Sequence, residues 1–268
     1  MKDIHLQDAC RCPVARCAMR RRARQGRMSG RSGEAVEQDR PPRPRGRPKS
    51  PVLTQRKIAA AAVTLIQTRG YRALTMSALA TQLGVSASAL YNHVGSKRDI
   101  MILVQDRVNM EIDCSAFETE PWDVALGQWA RSYRHVYTRN IPLIPVMSVL
   151  PVADSPHTLA MYEKVSAGLV RAGWPESWVV NTVVAVESLV FGSAYDATAP
   201  ENIFDPGRLS EIAPVFSAAV SQRNLTVISS DGRRAAGSGA DAAFDVALRS
   251  LIAGFRQELE TLRPSEND

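Results

Sequence analysis

A chain of 268 residues, 45% hydrophobic and 22% charged, is long enough for one or two domains around a sizeable core. It shows no run of about 18 apolar residues that would read as a bilayer span. The formal net charge of +6 conceals an asymmetry: residues 1–50 hold 14 Lys/Arg against 5 Asp/Glu, residues 51–100 hold 6 against 1, and residues 101–268 hold 13 against 21. Charge that attracts phosphate therefore sits in the first hundred residues. The acidic remainder repels nucleic acid, and no membrane partner is expected.

Residues 1–50 read as a disordered basic tail. The opening MKDIHLQDACRCPVARCAMRRRARQGR lacks the apolar stretch of a secretory signal, so a cytoplasmic location is expected. Cys10, Cys12 and Cys17 stand close together, and His5 could complete a set of four. A CxCx4C cluster in an aperiodic Arg-rich tail has no fixed fourth ligand, however, and no metal or cofactor is predicted. A translation start at Met28 would leave the cluster out of the protein. From Arg40 to Ser50 the chain runs RPPRPRGRPKS, where Pro41, Pro42, Pro44 and Pro48 forbid helix and favour an extended backbone. PRGRPK, from Pro44 to Lys49, resembles the AT-hook core: Arg45 and Arg47 would enter a narrow minor groove, with Gly46 permitting close approach. The alternative is a solvated linker with incidental charge.

Residues 51–98 read as three short helices. The first runs from about Thr54 to Thr68, with Ile58, Ala62, Leu65 and Ile66 at helical spacing and Gly70 at its end. In LTMSALATQLGVSASALYNHVGSKR, Thr75 can cap a helix that turns Leu79, Ala80 and Leu83 to one face. Gly84 supplies a tight turn, Val85 plugs the corner and Ser86 caps a second helix carrying Ala89 and Leu90 inward. Tyr91, Asn92 and His93 fall near its end, and Ser96 caps the next helix, with Lys97 and Arg98 in its first turn. A helical hairpin around a glycine is also a common packing solution with no nucleic acid involved.

The segment from Thr54 to Arg98, with its RGY (Arg69, Gly70, Tyr71), LTMSALATQLGVS and LYNHVGSKRDI, resembles the DNA-binding domain of the TetR family of bacterial transcriptional repressors, in the tetracycline-repressor-like form of the signature. The resemblance covers about a sixth of the chain. It implies a homodimer whose amino-terminal domain holds double-stranded operator DNA and whose other helices bind a small-molecule effector. It places Tyr91, His93 and Lys97 on phosphates, Thr75 and Ser77 on the supporting helix, and Ser86, Ala87 and Ser88 at the opening of the recognition helix, where base edges are read. Ser77 stands where the tetracycline-repressor form has an arginine, and Ala87 and Ser88 replace a glutamine and a proline. No bidentate Arg or Gln remains to read guanine or adenine, so a tetracycline-operator sequence is not expected. Specificity would lean on Ser hydroxyls, thymine methyls, DNA shape and the preceding arm.

Residues 99–264 read as a helical bundle for effector binding and dimerisation, making the whole chain all-α. A helix from Ser96 to about Asp113 carries Ile100, Leu103, Val104 and Val108 and, by resemblance, acts as the lever between the domains. Cys114 beyond it is expected to pack rather than react. Pro121 opens a helix from Trp122 to about Arg139 with Val124, Leu126, Trp129, Tyr133 and Val136 inward. The proline-broken run Ile141 to Asp154 predicts short turns roofing a cavity, and a helix follows from His157 to Ala172, ended by Gly173 and Pro175. Residues 175–198 form a valine-dense helix with apolar positions on more than one face, suited to burial against both its own core and a partner subunit. Residues 199–240 form a long connection with one helix between Leu209 and Val220. The final helix, Ala242 to Leu262, turns Phe244, Val246, Leu248, Leu251, Ile252 and Phe255 inward. In the family two late helices from each subunit build a four-helix dimer interface, and these last two long helices are the matching pair.

An effector pocket would draw on Trp129, Tyr133, Met147, His157, Tyr162, Glu187, Phe191 and Tyr195, each of which could equally be plain core. Glu187, an acid amid valines, needs a partner if buried, and His157 or His135 or the effector could serve. No nucleophile elbow, phosphate loop or HExxH is present and the four histidines are scattered, so an all-α enzyme is the weaker alternative. An architectural DNA-binding protein without effector control is the other.

Overall fold

The computed structural model describes residues 53–200, 202–226 and 239–262. Among these every regular element is helical, and the first starts have local causes. α1 (Gln55–Arg69) is capped by Thr54, whose hydroxyl accepts the Lys57 N–H at 3.3 Å, and it ends at Gly70. α2 (Met76–Leu83) is capped by Thr75 through the Ala78 N–H at 3.1 Å. Gly84 then takes φ 67°, ψ 31°, the left-handed conformation in which a side chain is strained, and turns the chain into α3 (Ala87–Tyr91). Leu74, Leu79, Ala80, Leu90 and Val94 are buried with Ile58, Leu65 and Ile66 of α1, making the small core that sets the hairpin angle.

α4 (Lys97–Asn109) packs along α1 through Ile100, Met101 and Val104. It stops short of the expected Asp113 because Asp113 begins an Asx turn: its carboxylate accepts the Ser115 N–H at 2.9 Å and its own N–H donates to Ser132 Oγ at 2.8 Å. α5 (Trp122–Thr138) packs along α8 (Glu176–Asp196), and α10 (Gly239–Leu262) lies against both. α7 (Pro156–Arg171) bridges α4 and α8. It approaches the 3-10 turn at Ser115–Glu118 closely enough that a Cβ on Gly168 would lie 2.4 Å from the Phe117 ring. Between α5 and α7 the prolines confine the chain to a 3-10 turn at Ile141–Leu143 and the single-turn α6 (Ile144–Met147).

Three expectations are corrected. The helix placed at Leu209 to Val220 is α9 (Pro214–Thr226): a proline is tolerated in a first turn but not inside a helix, so Pro214 fixes the start, and Leu209 instead ends a short 3-10 turn. Val124 and Val246 face outward, Val246 being 55% exposed. And α8 is long and apolar enough, by length and composition, to cross a membrane, which the sequence was not expected to offer. Its buried residues Val179, Thr182, Val183, Val186, Val190, Ser193 and Ala194 recur every three or four positions, the spacing of a helix packed on α5, α7 and α10.

Candidate nucleic-acid interface and ligand cavity

The hairpin leaves a set of mostly polar side chains in solvent. Thr75, Ser77, Ser86, Ala87, Ser88 and His93 are all exposed, and Tyr91 is 53% exposed although its neighbour Leu90 is completely buried. Helical geometry explains the contrast: consecutive residues point about 100° apart, so one anchors α3 and the next faces solvent. His93 lies just beyond α3, whose five residues end at Tyr91. The cap at Thr75 is doubly useful, since a hydroxyl that accepts an N–H keeps its own proton for a phosphate oxygen, while the Ser86 hydroxyl also shares a 3.0 Å hydrogen bond with Ser88. Ser96 caps α4 through the Asp99 N–H at 3.2 Å, while the Asp99 carboxylate accepts the Gly95 N–H at 2.9 Å. Lys97 is less free than its exposed companions. Its ammonium sits 3.9 Å from the Tyr71 ring centroid and donates to the Tyr71 carbonyl, so it is held at the junction of the hairpin and α4. Arg45 and Arg47, like His5, Cys10, Cys12 and Cys17, lie outside the described residues.

Behind the hairpin, a cavity of about 200 Å³ opens between α4, α5, α6, α7 and α8. It brings together Tyr133, Met147, Tyr162, Glu187 and Phe191 of the eight expected pocket residues, and the turn after α6 adds Ser148, Leu150 and Val152 to its wall. The other three lie elsewhere. Trp129, one turn before Tyr133 on α5, is wholly enclosed in the core, and its indole N–H finds no acceptor among the described residues. His157 faces outward and its Nδ1 lies 2.6 Å from Asp106. Tyr195 is 43% exposed, two turns beyond Glu187. The partner expected for Glu187 is likewise corrected: neither His157 nor His135 is bonded to it, and Tyr133 (2.9 Å) and Tyr162 both donate to its Oε1.

Gln105, Asn109 and Tyr137 also line the cavity and were not anticipated. Asn109 is central: its carbonyl oxygen accepts from Tyr137 at 2.8 Å and its amide donates to Thr158 at 3.1 Å, joining α4, α5 and α7. Gln105 accepts from Ser155 at 2.8 Å. Ser155 therefore leaves the start of α7 uncapped by its own side chain, and Asp106 supplies the cap from α4 by accepting the His157 N–H at 2.7 Å. The signal for Gln105 and Asn109 was present in the sequence. Two amides four residues apart inside the stripe of Met101, Val104 and Val108 must face the same buried space.

Burial pushes the Glu187 carboxyl above its ordinary value, the two phenol bonds offsetting only part of the effect. Burial raises Tyr133, Tyr137 and Tyr162 too, so all three remain protonated donors through the physiological range. Burial has the same effect on the half-buried Cys114 thiol, which favours its unreactive form. For Glu187 the folded chain binds its proton more tightly than the unfolded chain does. Its contribution to stability is therefore greatest below the ordinary glutamate value and declines as pH rises toward the raised one. Glu187→Gln keeps an acceptor for both phenols. Its melting temperature is expected to match the parent's in acid and to exceed it at neutral pH, read from thermal denaturation across a pH series. A gap that closes with rising pH would contradict the assignment.

The outward face of α8 carries Val180, 67% exposed, and Val184 one turn later, and α10 beside it carries Val246.

Two family models match the chain: residues 58–104 match that of bacterial regulatory proteins of the tetR family, and residues 116–259 that of the tetracyclin repressor-like C-terminal domain. An HTH-type transcriptional regulator of Saccharopolyspora erythraea is 34% identical over 143 residues, 53% of this chain and 60% of that one. The HTH-type transcriptional repressor DrrR1 of Streptomyces coeruleorubidus is 29% identical over 153 residues, 57% and 56% of the two chains. The chain thus spans less than two thirds of the length of these curated relatives. Among solved structures, apo ActR from Streptomyces coelicolor superposes with a TM-score of 0.63 at 20% identity, covering 79% of this chain and 98% of that one. ActR has also been solved in complex with actinorhodin.

Proposed function

Because the chain belongs to the TetR family of bacterial regulatory proteins, we propose that it is a DNA-binding transcriptional regulator, a homodimeric repressor that releases its operator when a small molecule fills the Glu187 cavity. The observation that carries this reading is the course of α4. One end holds Lys97 against Tyr71 in the turn that leads from α1 into α2, and about 12 Å further along its axis Gln105 faces the cavity. A ligand that reorders the groups around Gln105 and Asn109 thus acts on the helix that positions α3. Two operator half-sites one turn apart must be met at once, so a small rotation of each α4 suffices to weaken binding. DrrR1 is named a repressor and ActR binds actinorhodin, both consistent with this scheme. The exposed valines of α8, Val180 and Val184, suit the partner subunit of the dimer. The reading assigns no catalysis to the chain, no cofactor and a cytoplasmic place of action.

The test is fluorescence anisotropy of the full chain on a fragment of its own promoter and on a scrambled fragment, over a salt series. The promoter fragment is expected to bind at least about a thousandfold more tightly at physiological salt. Equal affinities falling in parallel with salt would instead make the protein an architectural DNA binder, moved by phosphate charge alone.

A further inference from the structure

Among the described residues, the wall of the cavity contains one acid and no base. Gln105, Asn109, Tyr133, Tyr137, Met147, Ser148, Leu150, Val152, Tyr162 and Phe191 surround Glu187. Among the described residues no Lys, Arg or His forms an ion pair with that carboxylate. Both phenol hydrogen bonds fall on Oε1, and Oε2 accepts none among the described residues. A half-buried carboxylate with one oxygen uncommitted in an otherwise neutral cavity is an incomplete ion pair, since burying a charge without a counter-ion is costly.

The rest of the lining favours a particular counter-ion. Tyr133, Tyr137 and Phe191 form a contiguous aromatic cluster in the wall: Tyr133 and Tyr137 have ring centroids 5.1 Å apart, and Phe191 lies 5.7 and 5.0 Å from the two, edge to face. Tyr162 contributes a fourth ring beside the carboxylate. Aromatic faces attract a cation whose charge is spread over carbon-bearing groups, and they give little to a small hydrated metal ion. A carboxylate for the charge and aromatic rings for its substituents together form the recognition chemistry of an alkylammonium group.

We infer that the cavity selects an organic cation, a protonated amine or quaternary ammonium borne on an apolar body, with Glu187 as its counter-ion and Tyr133, Tyr137 and Phe191 as the surface on which the substituents lie. The inference rests on the reading of this cavity as the effector site. It adds a regulatory property. The groups facing Glu187 are the Tyr133 and Tyr137 phenols from α5, the Tyr162 phenol from α7, the amides of Gln105 and Asn109 from α4 and the apolar Met147 from α6. None of them changes charge near neutrality, so Glu187 alone makes binding depend on pH. The cation prefers the ionised form, and its affinity rises with pH as the carboxyl loses its proton.

The probe is benzyltrimethylammonium, whose charge is permanent, compared with neopentylbenzene, its neutral carbon isostere, by calorimetric titration of the full chain. The cation is expected to bind about tenfold or more tightly than the isostere at neutral pH and to lose affinity in acid. In Glu187→Gln the preference and the pH dependence both disappear, while neopentylbenzene binding persists and shows the cavity intact. Equal affinities for the two probes, a preference that survives in Glu187→Gln, or no binding of the cation would overturn the inference. Adding the cation to the preformed promoter complex separates this from the underlying reading. Binding with release of DNA supports both, and binding with the DNA retained supports the cation site while removing the cavity from control of the operator.

Discussion

Leu90→Ala is expected to lower stability by about 2–5 kcal/mol and to abolish selective binding of promoter DNA. α3 is five residues long, whereas isolated helices below about 12 residues are marginal in water. It exists because Ser86 caps it, Gly84 aims it and Leu90, fully buried with Leu79 and Ala80 of α2 and Ile58 and Leu65 of α1, anchors it. Truncating Leu90 opens a cavity where α3 meets α1 and α2, against a total stability that for a domain is typically about 5–15 kcal/mol. Tyr91→Ala, one residue on, is the control. Its ring is half in solvent, so the melting temperature should scarcely change while promoter affinity falls. Circular dichroism melts with anisotropy on the same samples separate the two. A Leu90→Ala chain that melts with the parent and keeps its promoter preference would mean that α3 is positioned by something other than its core contact.

The second large effect is expected at Asn109. Asn109→Leu conserves approximate size but strands the Tyr137 hydroxyl and the Thr158 hydroxyl, each left without the amide that satisfies it. An unsatisfied buried polar group costs about 1–3 kcal/mol, so the pair outweighs what added apolar burial returns, and a net loss of about 2–4 kcal/mol should appear in urea denaturation. Adding Tyr137→Phe removes one of the stranded groups. The double variant is therefore expected to be more stable than Asn109→Leu alone, a sign reversal that independent sites do not show. Strictly additive losses would mean that the Asn109–Tyr137 bond contributes nothing to the joint of α4 and α5.

These two sites differ in how readily they could be read from sequence. The hairpin was legible because its determinants are local: Thr75, Gly84, Ser86 and Ser96 each act within four residues, and all four take the cap or turn geometry expected of them. The cavity was legible in part. Periodicity identified Leu126, Trp129, Tyr133 and Val136 as the inward residues of α5, but whether an inward side chain meets a void or a neighbour depends on how whole helices pack. Trp129 and Tyr133 share a face of α5, yet one is enclosed by core and the other borders the cavity. His157 failed for a different reason: its position in the first turn of α7 gave Asp106 a closer claim on it than Glu187. The start of α9 was legible in Pro214, which can open a helix but cannot sit inside one that begins at Leu209.

The borrowed cap on α7 bears on the order in which the molecule assembles. A helix with its own capping side chain can begin while the chain is still being made, whereas the first turn of α7 awaits a carboxylate fifty-one residues upstream. Closing that loop costs entropy that nearest neighbours do not incur. The first turn of α7 therefore gains its cap only where α4 and α7 stand side by side, a joint that the neighbouring sequence cannot supply by itself.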